Sequence, residues 1–124
     1  MEPNTWSGAY QCWGLDNKEA PVRLCSPPEG FGCGVPSTNF EIKAFDASSN
    51  AFFGITAIIL AGLDGIVNEM RLPEPVNEDP SKVKSIEPLP ENVAKASAAL
   101  QGNKIFEKFF GSKFIENLVA VNNG

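Results

Sequence analysis

Four charged residues on or near predicted strands are the groups in this sequence that could do chemistry. Alternate residues of a strand point to the same side, so Glu41 and Lys43 share one face of a strand predicted over residues 39–45. Lys18 and Arg23 lie upstream, five residues apart. A carboxylate beside several cations can bind a metal ion and a phosphate, and the pattern predicts such a site. The alternative is an ordinary ion pair on a solvated strand face.

Composition narrows the chemistry that these residues could perform. The chain has 124 residues, enough for one domain with a modest core, and a formal net charge of -5. Its ten basic residues are scattered, which argues against a nucleic-acid partner. The sequence has no histidine, which excludes Ser-His and Cys-His nucleophile systems and the usual zinc sites. Carboxylates, lysine, arginine or cysteine must therefore carry any reaction.

Cysteine usage and the apolar segments indicate a cellular setting. Cys12, Cys25 and Cys33 are an odd number without metal-type spacing, and no secretion signal begins the chain. We therefore expect a cytoplasmic, reducing location, with a Cys25 to Cys33 bridge left open. The longest apolar run, residues 51–63, is too short for the roughly 20 residues of a membrane span and is interpreted as a core helix.

The order of predicted elements defines an α+β fold. Strands are expected at residues 9–14 and 21–26, joined as a hairpin, with a third strand at 39–45. A helix then runs from Asn50 to about Arg71, with apolar residues on most sides that predict burial.

A proline-rich connector and a helical group complete the predicted architecture. Residues 72–90 contain five prolines and are expected to be extended, and residues 91–121 are predicted to be helical. The fold class is α+β, a small antiparallel sheet packed on a long buried helix plus a C-terminal helical group. We expect a single domain over residues 1–124, with residues 1–71 as strands and core helix.

Five short runs keep an order and spacing that are typical of one enzyme family. They are WSGAY at 6–10, WG at 13–14, NKEAPVR at 17–23, NFEIK at 39–43 and AGLDGI at 61–66. Together they resemble the C-terminal part of the catalytic domain of glutamine synthetase, closest to the divergent glutamine-synthetase-like group of nodulin-type and fungal proteins. The similarity covers nearly the whole chain but not the first half of that domain, so a truncated domain is expected.

The resemblance implies roles for the four charged residues. In that family ATP activates glutamate to a glutamyl phosphate, which ammonia attacks, and Mg²⁺ or Mn²⁺ ions neutralise the phosphates. Lys18 and Lys43 fall at catalytic positions where the family has arginine, Arg23 at an arginine that contacts ATP phosphate, and Glu41 at a metal ligand. Because lysine cannot form the bidentate fork of arginine, the charge is kept while the geometry changes.

The expected function follows from the resemblance, with an alternative kept beside it. The ancestral reaction is ATP-dependent ligation of glutamate and ammonia, with ATP and Mg²⁺ or Mn²⁺ as cofactors of a complete enzyme. The isolated chain is expected to be inactive, and binding of ATP or a divalent ion by this chain alone is left open. Whether the chain is an enzyme is therefore also left open. The partners expected are the substrates and a second copy, since uncovered phenylalanines favour self-association. The alternative is a stand-alone binding, signalling or immunomodulatory protein, or an assembly module, that kept the fold without catalysis.

Overall fold

A computed structural model describes residues 9–27 and 39–122 and confirms the α+β class. Within these residues lie a three-stranded sheet, four α-helices and one turn of 3-10 helix at Pro80–Lys82. Cys33, the partner of Cys25 in the bridge that the sequence leaves open, and residues 6–8 of the WSGAY run lie outside the described residues. The elements are β1 (Trp13–Leu15), β2 (Val22–Cys25), β3 (Asn39–Ile42), α1 (Ala51–Val67), α2 (Val93–Gln101), α3 (Lys104–Phe110) and α4 (Ser112–Asn122).

The chain divides into two compact units. The strand unit consists of Met1–Phe45 and Pro73–Leu89, and the helical unit of Asp46–Leu72 and Pro90–Gly124. The sheet and α1 belong to different units, so the predicted packing of the sheet on this helix stays a prediction. The single domain over residues 1–124 also stays a prediction.

The sheet is mixed, not antiparallel throughout as the sequence predicted. β2 and β3 are antiparallel, but β1 and β2 are parallel, with Trp13 opposite Val22. The predicted hairpin between the first two strands is therefore wrong. Its loop does not turn tightly: Asp16 takes a left-handed conformation at φ 51°, and the chain returns through the buried Ala20 and Pro21 to begin β2 level with the start of β1.

The proline-rich connector pairs with the strand unit along the free side of β1. Val76 N donates to Trp13 O at 2.8 Å, and the Trp13 indole N–H donates to Pro73 O at 2.8 Å. Further along, Gln11 N donates to Glu87 O at 2.8 Å. Because proline cannot donate a ladder hydrogen bond, this segment adds isolated bonds and no regular strand. The connector is not extended throughout, because a turn of 3-10 helix at Pro80–Lys82 interrupts it.

Asparagine begins three of the four helices. The side chain of Asn50 accepts hydrogen bonds from the first free N–H groups of α1. Asn92 and Asn103 do the same for α2 and α3. Gly111, at φ 81°, separates α3 from α4, because a left-handed residue ends one helix and redirects the chain.

A phenylalanine cluster and one face of α4 form the centre of the helical unit. Phe114 lies 5.0 Å from Phe53 and 5.2 Å from Phe110 between ring centroids, so α1, α3 and α4 meet at these rings. Ile115 and Val119 are buried beside them. The sequence pattern predicts that Phe106, Phe109, Phe110 and Phe114 face inward. Three of them are half-buried, but Phe109 is 42% exposed, so the prediction is wrong for Phe109 and the core is small.

α1 differs from the prediction of a helix buried on most sides. None of its 17 residues, all of which the structure describes, is buried. One side packs through Phe53 on the phenylalanine cluster, whereas Phe52 on another side is 84% exposed. Apolar periodicity predicts which side chains need cover, but it does not show that the same chain supplies that cover. Among the described residues, no helix is long and apolar enough to cross a membrane.

Candidate functional site

Arg23 and Glu41 meet across the antiparallel strands β2 and β3. The strand register places the two residues directly opposite each other, and Arg23 Nη2 lies 3.1 Å from Glu41 Oε2. Their side chains are 25% and 44% exposed. Two of the predicted site residues therefore share one face of the sheet, and each partly neutralises the other.

The surroundings of Arg23 keep its guanidinium charged and oriented. Its Nε donates to Cys25 Sγ at 3.3 Å, and this hydrogen bond is the main cause that raises the pKa of Arg23, with smaller contributions from Glu41 and Asp16. Ser26 N donates to Asp16 Oδ1 at 2.8 Å, and hydrogen bonds from Ser26 are the main cause of the lowered pKa of Asp16. The charged forms of Arg23 and Asp16 are thus both favoured near β2.

Lys43 reaches the loop that carries Lys18. Its ammonium donates to the main-chain carbonyl of Lys18, and its main-chain N–H donates to Pro21 O at 2.9 Å. Lys43 follows β3 directly and, two residues after Glu41, lies on the same side of the strand. The structure brings Lys43 to Lys18 through the backbone of Lys18, and the Lys18 residue is exposed.

Asn17 is a positioning residue that the sequence analysis missed. Its amide Nδ2 donates to Val76 O at 2.7 Å and to Glu78 O at 3.0 Å, while its Oδ1 accepts from Glu19 N at 2.9 Å. The side chain ties the loop on both sides of Lys18 to the proline-rich connector. The one signal in the sequence was an asparagine at a turn, where side-chain to backbone bonds are common.

The residues around Glu41 do not form a metal site by themselves. A cation bound at Glu41 would compete with Arg23, which already holds that carboxylate at 3.1 Å. Mg²⁺ and Mn²⁺ require several oxygen ligands. The described part of the chain has no group of three or more His, Cys, Asp or Glu residues that could hold a metal ion. Glu41 is therefore not a metal site by itself.

Together, these contacts describe a small α+β chain in which Arg23 and Glu41 pair on one strand face and Lys43 reaches the neighbouring loop. The family model described as "Glutamine synthetase, catalytic domain" matches residues 1–124. The chain belongs to this family, which confirms the resemblance.

Curated proteins give the same assignment. Type-1 glutamine synthetase 1 of Dictyostelium discoideum is 35% identical over 128 residues, covering 96% of this chain and 25% of its own length. A glutamine synthetase of Staphylococcus aureus is 30% identical, covering 94% of this chain and 28% of its own length. A gamma-glutamylpolyamine synthetase of Streptomyces coelicolor is 25% identical over all of this chain and 28% of its own length. The chain spans about a quarter of the length of the curated relatives it matches.

Proposed function

We propose that this chain forms the latter part of a glutamine-synthetase-type catalytic domain, in which β2, β3 and the loop before β2 provide a cationic wall for phosphate. The complete protein would use ATP to activate glutamate and join it to an amine. The observation that carries the proposal is the Arg23 and Glu41 pair in a chain matched over its whole length by this family. The divergent nodulin-type group remains part of the proposal.

The charge balance on this strand face supports phosphate binding. Arg23 lies opposite Glu41 in the register of β2 and β3, and Lys43 follows Glu41 by two residues, on the same side of the strand. A phosphate that approached Arg23 would share the guanidinium with Glu41, because the guanidinium has enough N–H donors for both. Fixed cations stabilise the charge that develops on oxygen during phosphoryl transfer, so Arg23 would bind ATP phosphate and Lys43 would act near the transferred group.

Lys18 requires a different argument because only its backbone is held. Asn17 fixes the peptide on one side through Glu19 N, and Lys43 binds the Lys18 carbonyl. The exposed side chain is then free to reach a bound ligand from an anchored loop. We propose that Lys18 contributes its charge to the transferred phosphate.

The proposal includes ATP and a divalent ion for the complete protein, but it uses no metal step in this chain. Glu41 is already paired with Arg23, so carboxylates from outside the described residues would have to complete any metal site. Without them the isolated chain is proposed to be inactive. A cytoplasmic location and self-association also belong to the proposal; the reducing setting is inferred from the odd cysteine number.

A chimeric enzyme tests these roles. Residues 1–124 would replace the matched segment of the Dictyostelium synthetase, and phosphate release from ATP would be measured with glutamate and either ammonium or a polyamine. The polyamine arm is included because one relative is named for that amine. We expect Arg23→Gln to lower kcat/KM by about 100-fold or more, the scale of one lost electrostatic contact in a transition state.

Lys82→Gln is the matched control. Lys82 is exposed and pairs only weakly with Asp79 at 3.4 Å in the short 3-10 helix of the strand unit. Its loss should leave activity unchanged. A folded, active chimera in which Arg23→Gln, Lys18→Gln and Lys43→Gln all behave like Lys82→Gln would contradict the phosphate-binding roles.

A further inference from the structure

Cys25 contacts the side chain of Arg23 on one face of β2. The two residues are two positions apart on this strand, so their side chains point to the same side. Arg23 Nε donates a hydrogen bond to Cys25 Sγ at 3.3 Å, and Cys25 Sγ lies 3.9 Å from Arg23 O, where its S–H donates weakly. The thiol therefore contacts both the side chain and the backbone of Arg23.

The guanidinium of Arg23 is held at Nε and at Nη2. Nε is bonded to Cys25, and Nη2 lies 3.1 Å from Glu41 Oε2 on the neighbouring strand β3. A guanidinium carries N–H donors on Nε, Nη1 and Nη2, all in one plane. Contacts at Nε and Nη2 fix the rotation of that plane. Within the described residues, the donors that these contacts leave are on Nη1 and Nη2, which form the end of the group.

We infer that Cys25 is a positioning residue, which holds the guanidinium of Arg23 so that the edge formed by Nη1 and Nη2 binds a phosphate group. The inference rests on the proposed function, because that function gives Arg23 its ligand. A pair of parallel N–H donors matches two oxygens of one phosphate when the plane of the guanidinium is fixed. Cys25 contributes to that fixation from within the same strand.

The thiol suits this position because it orients Arg23 without adding negative charge. Glu41 already balances the positive charge of Arg23. A second carboxylate at residue 25 would make the group net negative, which would repel phosphate. A neutral sulfur accepts the Nε–H and leaves the charge of the pair unchanged. Fixing a long side chain in advance also reduces the conformational entropy that the side chain loses on binding.

Nuclear magnetic resonance of the 124-residue chain tests the contact without any activity. The chain has two arginines, Arg23 and Arg71, and Arg71 is exposed, so its Nε–H provides a reference rate of exchange with water. The Arg23 Nε–H should exchange more slowly than this reference. Cys25→Val removes the acceptor and keeps a side chain suited to a strand. It should raise the Arg23 exchange rate by about five-fold, the scale of one lost hydrogen bond.

The chimeric enzyme tests the consequence for ATP. Cys25→Val should raise KM for ATP by about ten-fold and leave kcat within about two-fold, because a lost contact to bound ATP phosphate weakens binding. Cys25→Ser keeps an acceptor for Nε and should hold KM within about three-fold of the unsubstituted chimera. Cys12→Val is the matched control, the same change at another half-buried cysteine of the strand unit, and should leave KM unchanged. If Cys25→Val fails to fold, Cys25→Ala replaces it.

The outcomes separate this inference from the proposed function. If Arg23→Gln leaves the activity of the chimera unchanged, the proposed function and this inference both fail. If Arg23→Gln lowers activity but loss of the thiol changes neither KM for ATP nor the Arg23 exchange rate, or changes one of them alone, this inference fails by itself. An equal rise in KM for Cys25→Ser and Cys25→Val would also overturn it, because the acceptor at residue 25 would then have no effect.

Discussion

Replacing Gly14 by alanine should detach the proline-rich connector from β1. A Cβ on Gly14 would lie 2.3 Å from Val76 O and 2.7 Å from Asn17 Cβ, so main chain must move by about 1 Å to restore ordinary contact. Three hydrogen bonds of 2.7 to 2.9 Å are at risk. They join Val76 N to Trp13 O, Asn17 Nδ2 to Val76 O, and Leu15 N to Asn77 Oδ1.

The expected cost follows from those hydrogen bonds. At about 0.5 to 1.5 kcal/mol each, losing two or three of them should lower the free energy of unfolding by about 2 to 3 kcal/mol. With a urea m-value of about 1 to 3 kcal/mol per molar, the midpoint should fall by about 1 to 2 M. Tryptophan fluorescence is the appropriate probe, because the Trp13 indole is bonded to Pro73 O in the same unit.

Gly65→Ala is the matched control for this experiment. No described atom lies within 4 Å of a Cβ at Gly65, which is inside α1, so alanine should add up to about 1 kcal/mol of helix stability. A Gly14→Ala protein that unfolds at the same urea concentration as the natural chain would refute the close packing of the connector on β1.

Three smaller perturbations test the ion pair, a titrating group and a helix cap. Glu41→Gln should lower the unfolding free energy by under about 1 kcal/mol, since exposed ion pairs contribute little; a larger loss in urea unfolding would show that the pair organises the sheet. The pKa of Asp16 is lowered from 3.8, mainly by Ser26, so its stabilisation is present above that pH and is lost as the pH falls through the folded-state pKa. Asp16→Asn should therefore flatten the acid side of a stability profile, and an unchanged acid slope would argue against this. Asn92→Ala removes the acceptor for Lys95 N and should cost about 1 kcal/mol in thermal unfolding followed by circular dichroism; unchanged melting would exclude the cap.

The helices could be predicted from the sequence because the residues that begin and end them act locally. Asn50 at the start of α1, the apolar spacing that follows it, and Gly111 between α3 and α4 act within a few residues of themselves. The pairing of the strands was harder to predict from the sequence. Both parallel and antiparallel arrangements satisfy the alternation of β1 and β2, and the left-handed Asp16 that allows the parallel one carries no strong sequence signal.

The candidate site shows the same division. The sequence placed Glu41 and Lys43 on one strand face, and the register of β2 on β3 brought Arg23 opposite Glu41. That pairing was not predicted from the sequence, and the role of Glu41 as one of several metal ligands stays a prediction. Asn17 was missed because its partners lie about sixty residues away in the connector, a contact that no local pattern encodes.

By itself, the sequence determined the family, the α+β class, the helical segments and the residue types available for a site, because these depend on composition and on spacing within short segments. Only the tertiary structure decided the mixed sheet, the anchoring of the connector on β1, the pairing of Arg23 with Glu41 and the exposure of α1. Each of these depends on which distant segment supplies a hydrogen-bond partner or apolar cover, and that choice is made by the whole fold.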